Sequence, residues 1–429
     1  MTAGPLSRLP RRVLSLMFSA SLGACLSTLI SCGGGGDSAA TVNGSASGAG
    51  SGSTASGANV VPVVVDAGPN PSSPDVNTLF TTVTVCAPGS TTNCQTIDHI
   101  QVDTESYGLR LLASALTIGL PVSSAGNSQS LVECAQFVDG YSWGPVALAD
   151  VHIEGEIARS VPVQVIGNAN FTAVPPDCSS IGPAEDTVAA FGANGILGVG
   201  VFAQDCGSAC ADAAQAASYY GCSSTQCQAV AVALSSQVTN PVTFFATDNN
   251  GVVIQLPAVA AQGAATVTGS LIFGIDTQSN NKSGNQTVLT LDPLQGYLTT
   301  VFDGQTLAQS FFDTGSNGFY FNVPSSNTTL PRCQGTNAGS FYCPPIAQNL
   351  TAVVEGQNGI SVNLNFTVAN ADTLGANDPT FVAFSTLAGP YPGTTASFDW
   401  GLPFYFGRTV YTAMAGAATS VGTGPYVAF

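Results

Sequence analysis

The sequence predicts an all-β protein made of two similar halves. Three observations carry this. Glycine (48) and proline (25) are frequent, with much Thr, Val and Ser between them, a composition of strands and turns rather than long helices. Short β-rich runs at 60–65, 81–85, 151–157, 161–166, 252–256, 287–291 and 361–368 are separated by Gly, Pro and Asn. Several alternate apolar with polar residues, the period of a half-buried strand. Finally, the chain repeats itself at an offset of 210 residues. Its 429 residues suit about two domains, at roughly 150 residues each.

The N-terminus reads as an export address. Arg8, Arg11 and Arg12 precede an apolar run over 13–24, the pattern of a secretory signal peptide. Serines interrupt the apolar stretch, which argues against a permanent membrane span. Leu29-Ile30-Ser31-Cys32 resembles the lipobox of bacterial lipoproteins, as does Leu22-Gly23-Ala24-Cys25. Cys32 is the better lipidation site because Gly33–Gly36 and a polar tract follow it, whereas Cys25 is followed by more apolar chain. An ordinary cleaved signal peptide is the alternative. The expected order is a leader over 1–31 and a tether over 32–59, nearly all Gly, Ser, Ala, Thr and Asn, which cannot bury a core. Gly33 at the second mature position favours outer-membrane sorting by analogy with other bacterial lipoproteins, facing either the periplasm or the surface.

Charge excludes several functions. Eight Lys+Arg face 25 Asp+Glu, a formal net charge of −17, and Lys282 is the one lysine. Loss of the three leader arginines takes the formal charge to −20. Such a surface offers no basic patch to nucleic acid or an anionic leaflet, so any membrane contact runs through the lipid anchor. Two histidines make no imidazole-rich metal site.

Apart from Cys25 and Cys32 the chain has ten cysteines, an even number that implies disulfides in an exported protein. Cys86/Cys94 and Cys333/Cys343 flank short turn-rich stretches and read as local loop closures. The group Cys206, Cys210, Cys222 and Cys227 reads as two disulfides pinning a small helical excursion, in preference to a zinc site. The full pairing stays open.

The repeat places the chemistry. Thr96 to Leu111 aligns without a gap with Thr306 to Phe321, and Asp103-Thr104-Glu105-Ser106 falls on Asp313-Thr314-Gly315-Ser316. Upstream, Phe80-Thr81-Thr82-Val83 matches Leu298-Thr299-Thr300-Val301 at an offset of 218; the extra eight residues are about the length of the Cys86–Cys94 loop. Downstream, Ile196-Leu197-Gly198 and Asp399-Trp400-Gly401 close the motif in each half, read as an apolar pair and a glycine. The halves are expected to run over 60–240 and 241–429.

Two Asp-Thr-Gly-Ser-type turns, each followed by such a pair, resemble the two lobes of a pepsin-like aspartic peptidase. Residues 401–412 are similar to the last strand region of that family's second lobe. Residues 60–429 also resemble a bacterial family of acidic, cysteine-containing lipoproteins characterised only as a domain of unknown function. The peptidase resemblance implies a bilobal all-β fold with an interlobe cleft, no cofactor and no metal. It implies a catalytic dyad of Asp103 and Asp313, one acid per lobe, sharing a water and a single proton. Like charges about 3 Å apart cannot both ionise, so one carboxyl acts as base and the other as acid. Thr104 and Thr314 would lock the two loops together, Ser106 and Ser316 would orient the outer carboxylate oxygens, and Gly315 would let backbone and water approach. Asp139-Gly140-Tyr141-Ser142-Trp143-Gly144 sits where the family has its flap, making Tyr141 and Trp143 candidates to contact substrate.

The departure is Glu105, where the family has Gly. It adds a third acid that raises the Asp103 pKa, blocks substrate or points away. Two functions therefore stand: an aspartic endopeptidase of the cell envelope acting as a monomer on polypeptide, or a degenerate pseudo-peptidase that binds a peptide or envelope partner uncut. A structural or adhesive surface protein is a weaker third. No nucleophile elbow, His-Glu-x-x-His or phosphate-binding loop is present. His99 and His152 fall in strand-like runs and read as strand residues, not bases.

Overall fold

A computed structural model describes residues 56–429, except 71, 225, 324–328, 336 and 394–395. The leader, Cys25, Cys32 and most of the tether lie outside the described residues. The described chain is all-β, with helices of at most seven residues. No helix among these residues is long and apolar enough to cross a membrane.

Both halves build the same motif. In the first, strands Leu79–Cys86 and Cys94–Asp103 form a hairpin closed by the Cys86–Cys94 disulfide directly across the pair. In the second, Leu298–Phe302 and Gln305–Phe312 pair through a two-residue turn, Asp303-Gly304. Both turn residues have positive φ, 49° and 74°, the type I′ geometry that suits the twist of a hairpin. The loop against the turn accounts for the shift between the two repeat offsets.

Each hairpin then receives a parallel strand. Gly195–Val199 runs parallel to Cys94–Asp103, with Gln101 opposite Ile196 and Asp103 opposite Gly198. Phe398–Trp400 runs parallel to Gln305–Phe312, with Phe311 opposite Asp399. The strand after each Asp turn, Tyr107–Leu112 or Phe319–Phe321, packs antiparallel on the far side. The closing glycines are required by proximity: a Cβ on Gly401 would lie 2.2 Å from the Gly318 carbonyl, and one on Gly198 would lie 2.4 Å from the Tyr107 amide.

The lobes share a floor. Val60–Val65 pairs with Leu79–Cys86 on one side and along its whole length with Val267–Phe273 on the other. The sheet continues through Gly251–Gln255, Thr409–Ala413 and Tyr426–Ala428. Strand pairing therefore crosses the 240/241 line, and N-terminal chain helps build the floor of the second half. One apolar cluster spans both halves, from Val83 and Leu109 to Phe321, Phe366 and Trp400. In the second lobe it is aromatic: Phe398 stacks on Phe321 and Trp400 with centroids 4.7 and 4.2 Å apart. Such pairs add about 0.5–1.5 kcal/mol each beyond area burial.

The remaining disulfides join Cys134–Cys178, Cys206–Cys210, Cys222–Cys227 and Cys333–Cys343. Cys206–Cys210 ties into the short helix Ser208–Asp212, whereas Cys222–Cys227 closes the hairpin of Tyr219–Cys222 and Cys227–Ala229, so one disulfide and not two pins the helical turn; all four sulfurs are paired, which leaves no thiolate among them for zinc. His99 lies edge-on to Phe80 and 3.5 Å from Asp66, and His152 sits on the strand Tyr141–Ile153.

The first lobe also buries a charged triad. Arg110 donates to Glu133 at 2.6 Å and to Asp205 at 3.0 Å, with all three side chains buried. Tyr219 donates to Asp205 at 2.6 Å. Burial, and Asp205 alongside, hold the Glu133 carboxyl well above its usual range against the pull of Arg110. Removing the cation would leave two buried acids unpaired. Arg110→Met is therefore expected to cost about 3–5 kcal/mol in denaturant unfolding; a loss under about 1 kcal/mol would show that the triad is not a structural anchor.

Candidate functional site

The two Asp turns meet at the lobe interface and are bonded to each other. Thr104 Oγ1 donates to the Phe312 carbonyl at 3.0 Å and accepts the Thr314 amide at 3.0 Å. Thr314 Oγ1 donates to the Val102 carbonyl at 2.8 Å. Thr104 has already spent its one proton, so at its 3.1 Å contact with the Tyr405 hydroxyl the tyrosine is the donor. Gln101 adds a cross-lobe bond, Nε2 to the Gly315 carbonyl at 3.1 Å. Farther out, Asn77 donates to the Asn317 and Phe384 carbonyls at 2.7 and 2.8 Å and accepts the Phe384 amide at 2.7 Å.

This clamp brings the two carboxyls close enough for Asp103 to bear on the titration of Asp313. Asp103 is 5% exposed and Asp313 2%. Their shells are related but unequal. Asp103 Oδ1 accepts the amides of Glu105 and Ser106 at 2.7 and 3.1 Å. Asp313 Oδ1 accepts the Gly315 amide at 2.7 Å, and its Oδ2 accepts the Ser316 hydroxyl at 2.8 Å. Ser106, expected to play the part of Ser316, contributes its amide. Its hydroxyl is buried with no hydrogen-bond partner among the described residues. Burial first, then the neighbouring acids Asp103, Asp399 and Glu105, hold the Asp313 carboxyl well above the usual range.

Gly315 has no room for a side chain, since a Cβ there would lie 2.8 Å from Asp103 Cγ. Glu105 occupies the equivalent place in the first lobe and does not point away. It is half-buried, and its charge bears on Asp313, Tyr107, Tyr297 and Tyr405. Burial, then Asp103 and Asp399, push its own carboxyl well above the usual range.

The candidate flap residues take another place. Tyr141 and Trp143 share one face of the strand Tyr141–Ile153 and pack into a cluster with Val132, Cys134, Cys178 and Tyr220. Trp143 Nε1 donates to the Phe171 carbonyl at 2.8 Å, and its ring lies edge-on to Tyr220. These rings brace the hairpin rather than the dyad. Tyr297 packs its ring against Phe311 and lies near enough to Glu105 and Tyr391 for both to bear on its hydroxyl.

An interlobe cavity of about 1150 Å³ has Asp139, Glu185, Tyr320, Arg332 and Tyr391 on its wall; neither dyad acid lines it.

A fourth acid escaped sequence reading. Asp399 stands where the motif reads as an apolar pair, yet it is fully buried, opposite Phe311 and Tyr320 in the register, and the Asp103 charge bears on it. The signal was there: the other copy carries Ile196 at this position.

No curated protein matches the chain. Among solved structures, the aspartic proteinase from Irpex lacteus is similar at 15% identity and a TM-score of 0.47, over 86% of this chain and 96% of that one. That likeness is too distant to carry catalytic residues across. Residues 55–429 match the model of the family described as a protein of unknown function, DUF3443, and the chain belongs to that family.

Proposed function

We propose that the chain is an aspartic endopeptidase of the cell envelope, exported and anchored through Cys32, that hydrolyses polypeptide with Asp103 and Asp313. The observation that carries this reading is the reciprocal Thr104–Thr314 clamp, which holds two acid-bearing turns from different lobes side by side with Asp103 against Gly315. Asp103 takes a proton from the bound water, whose oxygen attacks the scissile carbonyl carbon. Asp313 gives its proton to the carbonyl oxygen. The tetrahedral species then collapses as the C–N bond breaks, with a proton passed to the leaving amine. Export is supported by the five disulfides, which persist in oxidising compartments. The protein acts as a monomer and takes no nucleic acid. The test is digestion of a reduced, unfolded protein at about pH 3 to 6, where such a dyad holds one proton.

Glu105 favours a second reading, a binder that retains the clamp without turnover. Glu105→Gly decides between them. It removes a like charge and side-chain volume from the dyad, and is expected to raise kcat/KM about tenfold or more. Activity confined to the glycine variant would make the natural chain a peptide binder. A variant less active than wild type would place Glu105 within the machinery.

A further inference from the structure

The two copies of the motif differ most at one buried position. In the first lobe the residue opposite Gln101 is Ile196, and the serine of the turn, Ser106, has a hydroxyl with no partner among the described residues. In the second lobe the corresponding residue is Asp399, and the serine of the turn, Ser316, donates to Asp313 Oδ2 at 2.8 Å. Asp399 has no solvent exposure, and neither of its carboxyl oxygens makes a hydrogen bond of ordinary geometry. Ser316 is nonetheless close enough to bear on its charge. A buried, unpaired carboxylate costs several kcal/mol, and a neutral carboxyl avoids that cost.

Ser316 has a single proton. With Asp399 neutral, the Asp399 O–H can donate to Ser316 Oγ while Ser316 donates onward to Asp313. With Asp399 ionised, the stronger acceptor draws the Ser316 proton to itself and Asp313 loses its donor. We propose that Asp399 is a positioning residue for the reaction assigned above: as a neutral acid it fixes the Ser316 hydroxyl on Asp313, and its ionisation withdraws that bond. This deepens the peptidase reading and rests on it for the catalytic consequence. The Ser316 hydroxyl favours the ionised form of Asp399, while burial and the other groups around it favour the neutral one. Asp103, Asp313 and Glu105 face it from the two turns, Tyr320 from the neighbouring strand, and Tyr405 from the segment after Gly401. No cation is among them. Burial, against the pull of the Ser316 hydroxyl and with Asp103 alongside, moves its carboxyl well above the usual range.

The experiment compares full-length wild type, Asp399→Asn and Ser316→Ala by infrared spectroscopy at pH 7, with circular dichroism to confirm folding. Wild type is expected to show a neutral-carboxyl C=O band that is lost in Asp399→Asn and shifted in Ser316→Ala. An unchanged spectrum in either variant overturns the proposal. For the reaction, the alkaline limb of kcat/KM is expected to move to higher pH in Asp399→Asn with KM unchanged, because the amide donates to Ser316 at every pH. An unmoved limb overturns the catalytic part. A wild type that cleaves nothing at any pH counts against the peptidase reading alone, and the infrared arm still decides for or against Asp399.

Discussion

Exchanging Asp313 for Asn is expected to abolish cleavage of an unfolded protein at about pH 3 to 6 and to leave the fold intact. The asymmetry of the site separates the two effects. Asp313 is buried among three other acids and held toward its neutral form, so a neutral amide of the same shape introduces no new buried charge. The Gly315 amide keeps an acceptor in Oδ1, and only the Ser316 hydroxyl must turn. The melting midpoint should therefore change by the equivalent of about one hydrogen bond, roughly 1 kcal/mol. Chemistry loses more. Asn cannot hand a proton to the carbonyl oxygen as the water adds, and an acid–base partner contributes about 10²–10⁴ in rate. Asp103→Asn should act in the same direction for the opposite reason, by removing the base. Equal digestion by wild type and Asp313→Asn, prepared side by side, would sink the dyad.

The dyad was legible in the sequence because duplication preserved Asp, Thr and Ser at one offset, and the hydrogen bonds that tie the turns together use those same side chains. The lobe partition was less legible. Val60–Val65 pairs with Val267–Phe273, some two hundred residues away, and such non-local pairing leaves no local pattern to read. Tyr141 and Trp143 show a different limit. The peptidase resemblance places them in the flap hairpin, but successive side chains on a strand point to opposite faces. Ser142 points inward to Gln164, while its two neighbours point to the Cys134–Cys178 cluster. Position along a strand does not say which face meets the cleft. Asp399 was hidden by the pattern that located it, since an apolar pair in one half invited the same reading in the other.

Raising the pH from about 4.5 to 8 is expected to destabilise the protein, against the common trend of carboxylate-rich folds. The carboxyls of Asp313 and Asp399 are held above their ordinary range by burial, as is that of half-buried Glu105, and Glu156 is pushed up to about 7 by burial and by Asp248 beside it. A raised carboxyl keeps its proton in the fold while the unfolded chain releases it. Its stabilising effect is complete below the unfolded value, 3.8 for Asp and 4.5 for Glu, and is lost as pH rises through the folded value. Each proton so retained costs about 1.4 kcal/mol per pH unit. Asp177 and Asp276 have carboxyls held below the usual range, by Tyr220 and Ser420 among others, which outweigh a burial effect in the other direction. They contribute in the opposite sense, and only below about pH 4, where their unfolded forms take up protons. The melting midpoint should therefore peak near about pH 4–5 and fall toward neutrality. Glu156→Gln should flatten the part between about 4.5 and 7 without touching the dyad. A midpoint that rises steadily from pH 4 to 8 would show that these acids ionise freely in the fold. The composition points the same way: with only eight Lys and Arg in the chain, protonating the carboxylates unmasks little positive repulsion. The acid range proposed for the dyad thus coincides with the range in which the raised carboxyls stabilise the fold.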